Sequence, residues 1–135
     1  MARTHEKVRY PPKGKVKEPR GHTKEDWSGD AAEEAFKLIE GRWKMMILFH
    51  LFDKEMLRFS ELERAIPLAS QKMLIQQLRD LERNGIVMRT IYPQVPPRVE
   101  YSLTDLGQAL RPALHELVQW ANLRRKRVSD QALIS

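Results

Sequence analysis

Cysteine is absent from all 135 residues, which removes disulfides, thiolate nucleophiles, cysteine-ligated zinc and thiol redox sensing by this chain. Long apolar runs are missing too. The longest, Met45 to Phe52, is interrupted by His50 and falls far short of the roughly 20 residues that span a bilayer. The basic N-terminus is not followed by the apolar stretch of an export signal, so the expectation is a cytoplasmic protein without a membrane segment. Catalytic constellations are equally scarce. His5, His22, His50 and His115 show no ligand spacing, His115-Glu116 lacks the second histidine of a zinc-protease motif, and no glycine-rich phosphate loop occurs. His50, on an apolar helix, reads as a satisfied core or dimer-contact histidine in preference to a base. Neither an enzyme nor a cofactor nor a metal site is expected.

What remains is the composition of one soluble domain with short extensions: 41% hydrophobic and 31% charged residues. The net charge of +6 is unevenly placed. Of 24 basic and 18 acidic groups, 8 and 5 lie in residues 1–30 and 4 and 1 in residues 122–135, which leaves 12 and 12 between them. Positive ends suggest an anionic partner, nucleic acid before an acidic membrane surface, although solvated tails are often basic for solubility alone.

Residues 1–29 read as a flexible basic arm, because Pro11-Pro12, Gly14, Pro19 and Gly21 interrupt any helix. Asp30 is placed to cap a short amphipathic helix from Ala31 to Gly41. From Arg42 the chain is apolar nearly all round, the pattern of a central buried helix. Ser60-Glu61-Leu62-Glu63 has capping-box spacing, with Ser60 as the cap and Pro67 closing the helix that follows. Ser70 caps a longer helix with Leu74, Leu78 and Leu81 on one face, ending at Asn84-Gly85. Two capped helices separated by about four residues form a helix-turn-helix signal.

Ile86 to Tyr92 and Arg98 to Leu103 are β-rich and joined by Pro93-Gln94-Val95-Pro96-Pro97, a hairpin loop. In the second strand Val99, Tyr101 and Leu103 are expected inward, with Arg98, Glu100 and Ser102 on a wet face. Thr104 caps a final helix striped by Leu106, Leu110, Ala113, Leu114, Leu117 and Ala121, in which Pro112 bends the axis or breaks a hydrogen bond. The fold class is therefore mostly α with a small β-hairpin, in the winged helix-turn-helix order α-α-α-α-β-β-α. The domain spans 30–121, and 122–135 is a basic C-terminal tail.

On helix 70–84 the leucine stripe leaves Ser70, Gln71, Lys72, Ile75, Gln76 and Arg79 for major-groove edges. Gln suits adenine, Lys and Arg suit guanine, and Ile75 suits a thymine methyl. A plain solvated face is the alternative. Arg98, beside two prolines, is placed to meet phosphate or a narrow minor groove, with Arg89 on the partner strand; pairing of Arg98 with Glu100 is the competing reading. Trp120, with Trp27 and Phe36 near the other end, offers apolar surface to a second chain or to its own core. Phe36, Leu114, Leu117 and Trp120 are the expected dimer contacts. The run Arg124-Arg125-Lys126-Arg127 reads as a solvated tail, with phosphate contact as its alternative.

The run Ala35 to Trp43, Arg58-Phe59-Ser60-Glu61-Leu62, Ser70-Gln71-Lys72-Met73-Leu74, Gln77 to Glu82 and above all Tyr92 to Thr104 closely resemble the HxlR family of bacterial winged-helix transcriptional regulators, relatives of MarR. The resemblance covers about residues 30–121. It implies a homodimer joined through its terminal helices and bound to inverted-repeat double-stranded DNA, with Ser70, Gln71, Lys72, Gln76 and Arg79 on the recognition helix and Arg98 on the wing. Many members sense oxidants through a cysteine before the first helix; that position is Asp30 here. Any signal then comes from an unknown small-molecule effector, another protein or the amount of regulator. The reading of a different class is a protein-interaction or low-specificity architectural module, against which the polar, basic face of helix 70–84 argues.

Overall fold

The computed structural model describes residues 28–134. The N-terminal arm up to residue 27, Trp27 included, lies outside the described residues. The chain order is α1 (Gly29–Ile39), α2 (Arg42–Lys54), β1 (Met56–Arg58), α3 (Phe59–Ala65), α4 (Gln71–Arg83), β2 (Val87–Tyr92), β3 (Arg98–Leu103), α5 (Asp105–Ala109) and α6 (Arg111–Ile134).

α2 is the spine. Its Ile47, Leu48 and Leu51 are fully buried and meet Leu62 of α3, Leu74, Leu78 and Leu81 of α4, and Val87, Tyr101 and Leu103 of the sheet. An apolar helix at the centre of a small domain can give every face to a neighbour, so no polar stripe is needed. One polar group is nevertheless inside: Lys44, nearly buried, places Nζ 3.5 Å from Asp80 Oδ2 and so ties α2 to α4.

Local capping fixes where the elements begin, and at two of them the structure moves the expected cap. Ser28, not Asp30, caps α1 by accepting from the Ala31 amide at 3.3 Å. At α3 the helix starts two residues earlier than expected, after Arg58, and Glu61 accepts from the Arg58 amide at 2.7 Å. Ser60 therefore sits inside the first turn instead of capping it. At α4 the expectation holds: Ser70 Oγ accepts from the Met73 amide at 3.1 Å, and Gly85 beyond the C-terminus takes φ 76°, a left-handed value that glycine adopts without steric cost.

The sheet has a third strand, β1, that no alternation in the sequence signals. β1 pairs antiparallel with β3, as does β2, in the order β1-β3-β2. With β3 central, the face expected to be wet is partly covered: Glu100 is only 8% exposed. At the other end of β3, Thr104 fastens the sheet to the last helices. Its hydroxyl lies within hydrogen-bond reach of the Gly85 and Ile86 carbonyls and accepts from the Gly107 amide. Gly107 is packed so closely that an added Cβ would stand 2.1 Å from the Ile86 carbonyl oxygen.

The single final helix expected from the sequence is two. α5 stops at Ala109 and α6 begins at Arg111, with Pro112 in its first turn; a proline ring collides with the carbonyl four residues back and has no amide to donate, so the helix cannot run straight through. Beyond residue 121 the basic segment continues α6 as helix to Ile134.

Candidate nucleic-acid interface

α4 turns Leu74, Leu78 and Leu81 into the core, and the 3.6-residue period then fixes what faces out. Gln71, Lys72, Gln76 and Arg79 are exposed and Ile75 is half-buried; with Arg83 they line one shallow surface concavity along the helix. Ser70, at the head of that face, is engaged as the cap.

Ion pairing separates the cations of this region into two kinds. Arg83 Nη1 lies 2.9 Å from Asp80 Oδ1, while Lys44 approaches the other oxygen of the same carboxylate, Oδ2. Arg89 Nε lies 3.1 Å from Glu82 Oε2, so this β2 arginine braces the strand against the flank of α4. Lys72 and Arg79 have no ion pair among the described residues. Their charge is uncompensated on the face that looks outward, as a surface that meets phosphates and guanine edges requires.

The β2–β3 loop, residues 93–97, is exposed throughout, and Val95 is fully so. Arg98 at its base is held from two sides. Its guanidinium stacks 4.3 Å from the Tyr92 ring centre, and Nε lies 3.2 Å from Glu100 Oε2, at an angle too poor for a hydrogen bond. The competing reading of Arg98 as an ion-pair partner of Glu100 is thus the arrangement in the free chain. About a third of the side chain stays exposed.

The residues expected at a second chain divide. Phe36 on α1 and Leu117 and Trp120 on α6 are exposed by 65%, 51% and 60%, whereas Leu114 is buried at 3% in the chain's own core. No residue of α1 is fully buried, only Leu38 and Ile39 packing partly on the core, and Val118, Leu123 and Val128 extend the uncovered apolar surface of α6. Tyr101 of β3, paired with Arg89 across the sheet, has its phenol pushed above the ordinary value of 10.0 by burial, with Arg89 pulling the other way. Among the described residues no group of metal-ligating side chains gathers, and no helix is long and apolar enough to cross a membrane.

A family model described as HxlR-like helix-turn-helix matches residues 38–129. The chain belongs to the HxlR family. It is 39% identical over 107 residues to YdeP, an uncharacterised HTH-type transcriptional regulator of Bacillus subtilis, covering 79% of this chain and 83% of that protein. With YkvN, another such regulator of B. subtilis, identity is 54% over 84 residues, 62% of this chain and 70% of the relative. Among solved structures it resembles the redox regulator HypR in its reduced form, with a TM-score of 0.69, 40% identity and coverage of 74% of this chain and 98% of that one. The HxlR winged helix-turn-helix and its DNA-binding regulatory role therefore apply to this chain, and the order of α3, α4, β2 and β3 is the one that the sequence predicts.

Proposed function

We propose that the protein is a sequence-specific transcriptional regulator that binds inverted-repeat DNA as a homodimer. The observation that carries this reading is the outward face of α4, where Gln71, Lys72, Ile75, Gln76 and Arg79 stand together and the two cations have no carboxylate partner among the described residues. In the major groove Gln76 reads an adenine edge while Lys72 and Arg79 read guanine or phosphate. The wing, residues 93–97 with Arg98, lies along the backbone or the minor groove; Arg89 supports it from within through Glu82. A two-fold dimer formed over the exposed faces of α1 and α6 presents two such helices to half-sites about 10 bp apart or somewhat more.

The protein works in the cytoplasm and performs no catalysis. HypR is a redox regulator, but this chain carries no thiol, so its signal is a non-covalent ligand, a partner protein or its own abundance. The test is a titration of a bound genomic duplex and a scrambled duplex at physiological salt. Gln76→Ala is expected to relax preference at one base pair of each half-site, by about 1–3 kcal/mol, and Arg98→Ala to weaken both duplexes alike. Equal loss on both duplexes for both variants contradicts the assignment of roles.

A further inference from the structure

β1 brings one more arginine to the wing. Arg58 pairs in register with Glu100 across β1 and β3, so their side chains share a sheet face, and Arg98, two residues before Glu100, lies on that same face. Two cations thus flank one carboxylate. Glu100 is already engaged by Arg98, whereas the exposed Arg58 has no ion pair among the described residues. Arg58 and Arg98 also border a cleft between the start of α3 and the wing, whose other walls are Ser60, Gln94 and the apolar Phe59, Pro96, Pro97 and Val99.

The displaced cap of α3 matters here. Because Glu61 takes the Arg58 amide, Ser60 is relieved of capping, and its hydroxyl has no partner among the described residues. The side-chain amide of exposed Gln94 is likewise unengaged. The cleft therefore offers a guanidinium, a hydroxyl and an amide as donors. The nearby carboxylates face other partners, Glu61 its own helix and Glu100 its arginine. A tetrahedral phosphate oxygen set fits such donors well.

The geometry points to a seat for one backbone phosphate of bound DNA in this cleft, with Arg58 as the principal contact, Ser60 and Gln94 as neutral donors, and Arg98 held by Glu100 and Tyr92 as the far wall. The seat rests on the DNA-binding reading above, and it clamps the duplex between α3 and the wing while α4 occupies the groove. Phosphate contacts fix register without reading sequence, so the effect on affinity must be the same for every sequence.

Anisotropy titrations over a salt series, on a duplex carrying the selected site and on an unrelated duplex of equal length, test it. Arg58→Ala is expected to flatten the slope of log K against log salt by about 0.9, the loss of one phosphate contact, and to weaken both duplexes by about tenfold. Arg58→Lys keeps the slope, and Ser60→Ala weakens both duplexes without changing it. Should Arg58→Ala melt early, Arg58→Gln, which keeps length without charge, replaces it. An unchanged slope with specific binding intact removes the seat and leaves the DNA reading standing. Failure of the wild-type chain to bind either duplex removes the DNA reading itself.

Discussion

Single residues here carry two kinds of information, one visible in sequence and one not. Thr104 is legible as a helix cap, yet its grip on the Gly85 and Ile86 carbonyls, and the tight seat of Gly107 beside Ile86, depend on contacts about twenty residues apart in the chain. Gly107→Ala is accordingly expected to destabilise the fold by about 1–3 kcal/mol through overpacking against a backbone that cannot move aside, measured as a lower urea midpoint with an unchanged slope. Tyr101 gives a pH dependence of defined sign. Its folded pKa is raised above 10.0 by burial, so above that pH the unfolded chain sheds the phenolic proton first. Stability is full below pH 10 and declines as pH rises past it. Tyr101→Phe should flatten that alkaline decline in thermal melts followed against pH; a decline of equal steepness in the variant would place its origin elsewhere.

At the scale of elements, periodicity and caps made most of the fold readable. The leucines of α4 with Ser70 before and Gly85 after, the apolar run of α2 and the alternation of β3 each describe their own element without outside help. The failures were of another kind. β1 is three residues long, too short for any pattern, and it exists because β3 has an edge to pair with; the burial of Glu100 and the approach of Arg58 to the wing follow from that pairing. Arg58-x-x-Glu61 and Ser60-x-x-Glu63 have the same spacing, and the strand running directly into α3 decides between them. For the candidate site, the outward face of α4 could be read by subtraction from the core face. Arg89 could not, because its partner Glu82 comes from a neighbouring element, and neither could Leu114, whose burial depends on how α6 docks. The core side of α4 sets the angle of its outer side. Leu78→Ala is therefore expected to cost about 2–5 kcal/mol of stability in chemical denaturation, and Asp80→Ala, which strands the nearly buried Lys44, about 1–3 kcal/mol.

For the whole molecule, the question is what covers the terminal helices. α1 packs only Leu38 and Ile39 partly against the core, and α6, about 36 Å long from its 24 residues, leaves Leu117, Trp120, Leu123 and Val128 exposed, apolar surface of the kind that marks an interaction face. The two-fold pairing proposed above would cover these faces. Trp120→Arg should then shift sedimentation at micromolar concentration toward monomer while leaving the circular dichroism unchanged; a wild-type chain that already sediments as a monomer would refute the pairing. On the proposed reading, such a dimer would present the uncompensated faces of two α4 helices to paired half-sites. The measurement that bears most directly on this is selection of bound fragments from sheared genomic DNA at physiological salt, run beside the Gln76→Ala, Arg98→Ala double variant. The account predicts that the wild-type protein enriches fragments sharing an inverted repeat and that the double variant does not. Fragments without a common sequence, retained only through steeply salt-dependent binding, would contradict it.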